Sequence, residues 1–433
     1  MTYQKALEEI SSLLQFGSQP GLERIQKLLE KLGNPQNKLR FVHVAGTNGK
    51  GSTCAMLSAA LTAAGYRTGL YISPCIVEFR DRIQLNGAMI PEADLAQLTE
   101  EIMPIVRSMA ADGDIITEFE LITALAMEWF VRQSCDVVVL EVGLGGRFDA
   151  TNVIPTPLAS VITVISLDHT GILGNTVEEI AFEKAGIIKE NGDTILFPQQ
   201  EPGVLSVMER VTAERNNRLH TGDASLLTDI SFDISGTQFQ YEGVSVHLPL
   251  IGQHQIFNAA TVLTTLAVLR EKGFPVSAQA VAEGFSKVCF PARLELLSSR
   301  PVVLLDGAHN PNGTAALANA LRQYLPGKRI VGIMGMLADK DTHAALQNLS
   351  GLFWQVITLT PPNPRAMESK DLAQLWNTLG TPAQAAATPE AAVESALQQI
   401  GTEDAIVVCG SLYLATQVRP VLLEILQKQG LST

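Results

Sequence analysis

One glycine-rich turn constrains this chain more than any other feature: Gly46-Thr-Asn-Gly-Lys50-Gly-Ser-Thr53. The β-branched run Phe41–Ala45 before it predicts a strand, and the pattern from Lys50 to about Ala64 predicts a helix. A strand, a glycine turn and a helix in that order form a phosphate loop. Glycine lets the backbone approach phosphate oxygens, and the N–H groups and helix N-terminus supply positive potential. Lys50 adds a point charge, and Ser52 or Thr53 offers a hydroxyl. The match to GxxxxGK[ST] is imperfect, because Val44 replaces the first glycine and Gly51 follows the lysine. An ordinary βα turn is the bland alternative.

The same rhythm continues along the chain. Thr68–Ile72, Asp136–Val142, Leu158–Ser166 and Thr194–Phe197 predict further strands alternating with helices. The run at 136–142 is nearly all apolar, as a parallel strand covered on both faces requires. Alternation of this kind predicts a doubly wound parallel sheet. Between Ser231 and Leu250 the period switches to two, with Ser235-Gly236 and Glu242-Gly243 at the turns, so a small antiparallel meander is expected there. A second βα series starts near Pro301, with strands at Val302–Leu305, Arg329–Met334, Gln355–Thr360 and Ala405–Cys409. The segment Phe290–Ser299 joins the two series. The expected division is therefore an N-terminal domain over 1–296 and a C-terminal domain over 297–433.

Composition narrows the function classes. The 433 residues are 46% hydrophobic and 17% charged, enough to bury a sizeable core. The net charge is −13, which argues against nucleic acid or an anionic membrane as partner. An anionic ligand must then be met by a local site. No apolar run approaches the roughly 18–20 residues that span a bilayer. The opening residues, Met1 to Leu14, predict an amphipathic helix and not a signal peptide. The five cysteines are scattered, without a CxxC pair, so free thiols in a reducing cytoplasm are expected.

The phosphate loop is the first of a series of motifs. HVAGTNGKGST spans His43–Thr53, followed by ISP at Ile72–Pro74, LEVGLGGRFDATN at Leu140–Asn152 and SLDHTGILG at Ser166–Gly174. EKAGIIK at Glu183–Lys189, FPARLE at Phe290–Glu295, LLDGAHNPNG at Leu304–Gly313 and GMLADKD at Gly335–Asp341 complete it. In these motifs and their order the chain resembles the folylpolyglutamate synthase and dihydrofolate synthase family of the Mur ligase superfamily. The resemblance implies an α/β fold: a P-loop Mur-ligase-like central domain with the small meander, plus a C-terminal Rossmann-like α/β domain. It implies an ATP-dependent ligase that activates a carboxylate as an acyl phosphate and joins it to L-glutamate, releasing ADP and phosphate. The acceptor is a folate, with 7,8-dihydropteroate as a second acceptor left open. Alternatives are a folylpolyglutamate synthase lacking the dihydropteroate activity, another Mur-type amide ligase, or a P-loop kinase. A muramyl-nucleotide Mur ligase would need a further N-terminal domain before Gly46. A monomer without nucleic-acid or membrane partners is expected, its inter-domain segment Phe290–Ser299 serving for domain closure.

The resemblance also assigns residues. Thr47, Asn48, Gly49, Lys50, Gly51 and Ser52 would hold ATP, with Asn258, Arg293 and Asp306 as further nucleotide contacts. Ser73, Glu141 and His169 would hold two Mg²⁺ ions. Lys50, Lys184 and His309 would act on the reacting groups, with Asn310 beside His309. Lys184 matches the family's carbamylated lysine. Thr117, Glu118, Phe119 and Glu120 resemble its pterin-contacting segment. Each residue also has a bland alternative: a strand-end cap for Glu141, a structural histidine for His169, a surface lysine paired to glutamate for Lys184, an N-cap for Asn258. Thr117 and Glu120 also have the spacing of a capping box, which is compatible with pterin contact. The chain departs from the family at Cys75-Ile76, where His-Leu is usual, at Ala292, usually glycine, and at Gly17-Ser-Gln-Pro20, which lacks a common aspartate.

Overall fold

A computed structural model describes residues 1–17 and 19–431. Two compact units emerge. The first comprises Met1–Thr228, Gln240–Val246 and Phe257–Val288, and the second Asp229–Phe239, His247–Ile256 and Cys289–Thr433.

The first unit is built on eight strands: β1 (Phe41–Ala45), β2 (Thr68–Tyr71), β3 (Ile83–Leu85), β4 (Ala88–Met89), β5 (Val137–Glu141), β6 (Ala159–Ile162), β7 (Asp193–Leu196) and β8 (Arg218–Thr221). Their order is β4-β3-β2-β5-β1-β6-β7-β8. The six from β2 to β8 in that order run parallel, and β3 and β4 pair antiparallel at one edge. Every residue of β1 and β5 is buried, which explains their unbroken apolar sequence. Each buried Val or Leu there contributes about 1.5–3 kcal/mol. The strand order reverses about β1, so the loops leaving β1 and β6 diverge at the sheet's carboxyl edge, where ligands of open α/β sheets bind.

The structure agrees with the expected strands to within one or two residues at their ends, and shortens one further. β6 ends at Ile162, whereas the apolar run continues to Ser166. The tail leaves the sheet because its polar groups serve the phosphate loop: Thr47 N–H donates to Val164 O at 2.8 Å. The hairpin β3–β4 and the half-exposed β8 went unread, since two to four residues at a sheet edge carry little pattern. The N-terminal helix Tyr3–Ser11 forms as expected, capped by Thr2 and burying Ala6 and Ile10.

The meander is present as β9 (Thr228–Asp233), β10 (Gly236–Tyr241) and β11 (Val244–Leu248), in the order β11-β10-β9. The second unit's main sheet uses β12 (Glu295–Ser299), β13 (Val302–Leu305), β14 (Ile330–Met334), β15 (Gln355–Thr358), β16 (Ala383–Ala385) and β17 (Ala405–Cys409). It runs β12-β13-β17-β14-β15-β16, parallel except for β12. Part of the expected joining segment is thus a strand, because Glu295–Ser299 pairs with β13.

Candidate active site

Two glycines shape the phosphate loop. Gly46 has φ +152, and a Cβ there would lie 1.8 Å from Thr163 Oγ1. Gly49 has φ +85 and precedes the helix Lys50–Ala63; a Cβ there would lie 2.8 Å from Asn258 Oδ1. Only glycine fits both. The loop is tied to the β6 exit by Thr163 Oγ1 donating to Asn48 O at 2.8 Å and Thr47 Oγ1 donating to Ser166 O at 3.1 Å. Gly51 and Ser52 are buried in the first helical turn. Asn258 is not an N-cap. The helix begins earlier, at His254, and Asn258 is a buried interior residue against the loop.

Two ammonium groups share one carbonyl. Lys50 Nζ donates to Gly46 O at 3.2 Å and to Thr47 O at 3.2 Å, and Lys184 Nζ donates to Gly46 O at 2.8 Å. Lys184 closes the helix Val177–Lys184 and is only 4% exposed, so the surface-lysine alternative does not hold. Burial, reinforced by the Lys50 charge, pulls its pKa down to about 7, against the attraction of Asp168 and Asp149.

Glu141 ends β5, 4% exposed and in register with Val44. Its Oε2 accepts the Ser73 N–H at 3.3 Å, which places Ser73, just beyond β2, beside it. His169 has φ +51 and precedes the short helix Thr170–Leu173; its N–H donates to Asp168 Oδ1 at 2.8 Å. Its ring Nε2 lies 4.0 Å from the same oxygen. Among the described residues no three His, Cys, Asp or Glu side chains converge into a metal cage. Mg²⁺ needs none, because it takes one or two carboxylates and completes its shell with phosphates and water. The Glu141 carboxylate and Ser73 hydroxyl are the hard oxygen donors it prefers, and His169 is a nitrogen donor.

Behind the loop runs a buried polar chain. His43 Nε2 bonds Thr151 Oγ1 at 2.8 Å, and Asp149 accepts from Leu144 N–H at 2.9 Å and Thr151 N–H at 3.0 Å. Burial drops His43 to about 3, so it is neutral, and raises Asp149. Asp149 and Asp168, both facing Lys184, were missed as functional candidates. Their signal was in plain view, within RFDATN and SLDH.

Thr117 caps the helix Glu118–Arg132 in a complete capping box with Glu120. Glu120 also pairs with Arg24 at 3.0 Å and is 3% exposed, so its carboxylate is spent on structure. Phe119 meets Tyr71 at a tilt of 53° with ring centroids 6.0 Å apart, and it covers Gly143 so closely that a Cβ there would meet its ring at 2.6 Å. Glu118 is half-buried; burial raises its pKa and Arg82 opposes the rise.

In the second unit, Asp306 follows β13 and accepts N–H bonds from Leu294 and Ala308, each at 2.8 Å. Burial raises it and the Arg293 charge opposes. Arg293 also helps burial hold His254 at about 4. His309 Nδ1 donates to Gly307 O at 2.9 Å, which fixes Nδ1 as the protonated nitrogen. Asn310 caps the helix Pro311–Tyr324 by accepting from Gly313 N–H at 2.8 Å. Ala292 has φ +56, a left-handed conformation that favours glycine.

The Mur ligase middle-domain model matches residues 44–266, and the Mur ligase glutamate-ligase-domain model matches 292–412. The chain is 37% identical over 432 residues to the dihydrofolate synthase/folylpolyglutamate synthase of Bacillus subtilis, covering 96% of this chain and 98% of that protein. It superposes on Mycobacterium tuberculosis folylpolyglutamate synthase complexed with ADP with a TM-score of 0.89 at 32% identity, covering 97% of this chain and 98% of that one. Escherichia coli FolC in complex with DHPP and ADP gives 0.83 at 33% identity, with 98% of each chain covered. The chain belongs to the folylpolyglutamate synthase/dihydrofolate synthase family of Mur ligases.

Proposed function

We propose that this protein is an ATP-dependent amide ligase that adds L-glutamate to folates, with 7,8-dihydropteroate as a second acceptor. The observation that carries the reading is the convergence of Lys50 and Lys184 on Gly46 O, at the strand edge where Glu141 also ends. ATP use is supported by the ADP complexes of similar enzymes.

The γ-phosphoryl group of ATP passes to the acceptor carboxylate, giving an acyl phosphate and ADP. The glutamate amine adds to the acyl carbon, loses a proton, and phosphate departs. Catalysis here is positioning and charge neutralisation. Thr47, Asn48, Gly49, Gly51 and Ser52 would present N–H and hydroxyl donors to the polyphosphate, and Lys50 would neutralise it. Asn258, against Gly49, would contact the nucleotide, as would Arg293 and Asp306. Glu141, Ser73 and His169 would hold Mg²⁺, two ions in all. The metal would neutralise phosphate charge as a Lewis acid. Thr117, Glu118 and Phe119 would bound the pterin, with Glu120 fixing their backbone. His309, with its Nδ1 proton committed to Gly307 O, would offer Nε2 to the reacting phosphate or the glutamate amine.

Lys184 would act as its carbamate. A lysine amine captures CO₂ only when neutral, and a pKa of about 7 supplies that form near neutral pH. The resulting anion would relieve the repulsion between the two ammonium groups. In this reading the N-terminal domain would span 1–296 and the C-terminal domain 297–433. The five cysteines are all free and, among the described residues, no helix is long and apolar enough to cross a membrane. A cytoplasmic location is part of this reading.

The test is ADP release with Mg-ATP and L-glutamate, run in parallel with tetrahydrofolate and with 7,8-dihydropteroate. Turnover with both acceptors supports the full reading. Turnover with tetrahydrofolate alone restricts it to polyglutamylation, and glutamate-independent hydrolysis overturns it.

A further inference from the structure

The chain that leaves β6 stays buried after it leaves the sheet. β6 ends at Ile162, whose carbonyl accepts from Phe197 N–H at 2.8 Å on the β7 side. Beyond it Thr163 and Ile165 are 0% and 2% exposed, so their backbone polar groups need partners inside the protein. Gln200 supplies two of them. It stands four residues past β7, half-buried, just ahead of the helix Pro202–Glu214. Its Nε2 donates to Thr163 O at 2.8 Å, and its Oε1 accepts from Ile165 N–H at 3.1 Å. One side-chain amide thus does what a peptide group of a neighbouring strand would do, with a donor and an acceptor on the same stretch of backbone.

The stretch held in this way has no substrate role assigned to it. Its contacts go to the phosphate loop. Thr47 N–H donates to Val164 O at 2.8 Å, and Thr163 Oγ1 donates to Asn48 O at 2.8 Å. Thr47 Oγ1 donates to Ser166 O at 3.1 Å and accepts from Ser166 N–H at 3.2 Å. Gly46 lies too close to Thr163 to admit a Cβ, so a shift of Thr163 must move the loop with it. The loop takes its register from residues 163–166, and that stretch takes its own from Gln200.

We propose that Gln200 is a positioning residue for the phosphate loop, acting on the nucleotide through Thr163–Ser166 without touching it. This rests on the ATP reading of the loop given above. Backbone N–H groups bind a polyphosphate only when they converge on its oxygens, and a displacement of about 1 Å can cost on the order of 100-fold. A brace behind the loop is therefore felt in nucleotide affinity.

The experiment is calorimetric titration of the full chain with Mg-ADP. Gln200→Met keeps the bulk of the side chain, removes both bonds and should raise Kd roughly 10- to 30-fold, the scale of two neutral hydrogen bonds. Gln200→Glu keeps the acceptor, loses the donor and should raise Kd at least about threefold. In steady-state turnover of Gln200→Met, KM for Mg-ATP should rise while KM for L-glutamate stays within about twofold. Gln199→Met, at an exposed neighbour, should leave both unchanged. Thr163→Val cuts the link to Asn48 O further along the same path, so the combined variant should fall short of the product of the single losses by at least about threefold. Unchanged Mg-ADP affinity in Gln200→Met overturns the proposal. So does an equal rise in both KM values, which marks a general loss of structure, and so does full additivity with Thr163→Val. If the unaltered protein binds no Mg-ADP, the ATP reading itself fails and the proposal falls with it, an outcome distinct from the others.

Discussion

Lys184 places an ammonium group where neutrality is favoured, and this has a measurable thermodynamic sign. Its pKa is about 7 when folded and near 10.5 when unfolded. Between those values the unfolded chain binds more protons, so the group's contribution to stability grows as pH rises, by about 1.4 kcal/mol per pH unit. Urea unfolding of nucleotide-free protein in CO₂-free buffer at pH 7.5 and 9.0 should show the native protein gaining about 2 kcal/mol relative to Lys184→Met. An equal pH response in both proteins would show that the amine is not desolvated. Single residues were legible in the sequence where chemistry leaves a local trace. Lys50 could be picked out from its glycine turn, whereas Glu141 stood at a strand end and took its metal role from the family resemblance. The burial of Lys184 could not be read, because its partner Gly46 O comes from a loop 138 positions away.

At the scale of elements, the phosphate loop and the helix Glu118–Arg132 make different demands. Gly46→Ala would drive a methyl group into Thr163, 1.8 Å from its Oγ1 and 3.2 Å from its Cα. Nucleotide binding, measured calorimetrically with Mg-ADP, should weaken at least about 100-fold, because the loop must shift out of register with the polyphosphate. Thr117→Ala removes one half of a capping box and should cost about 1 kcal/mol in denaturant unfolding. Its catalytic effect, if Thr117 contacts the acceptor, will appear as a raised KM beyond that loss. The central strands were legible because burial on both faces forces continuous apolar sequence. The edge strands β4, β8 and β16, and β3 beside β4, were not, since short half-exposed strands have neither alternation nor a long run. β6 misled in the other direction, its apolar tail being diverted to brace the loop beside it.

Across the whole molecule, the two βα series were evident from the rhythm of strands and helices, and each has its own parallel sheet. What rhythm could not supply was strand order, which depends on crossovers. The reversal about β1 is the feature that concentrates chemistry at one edge. If residues of both units contact nucleotide, as assigned, Mg-ADP should protect both. At a hundredfold excess over Kd it should add about 2.7 kcal/mol to globally exchanging amides. Native-state hydrogen exchange should show this in Met1–Thr228 and also in Cys289–Thr433. Protection confined to the first unit would remove Arg293 and Asp306 from the nucleotide assignment.

The carbonyl that Lys50 and Lys184 share has a further consequence, because a C=O stretch lowers in frequency as stronger donors bind it. Gly46 O accepts from two charged donors at once. An isotope-edited infrared band from a ¹³C label at Gly46 would therefore act as a built-in indicator of the Lys184 proton. The band should move to higher wavenumber as pH rises through about 7. In Lys184→Met it should stay still, with one oscillator reporting the charge of a side chain whose own atoms are hidden from solvent.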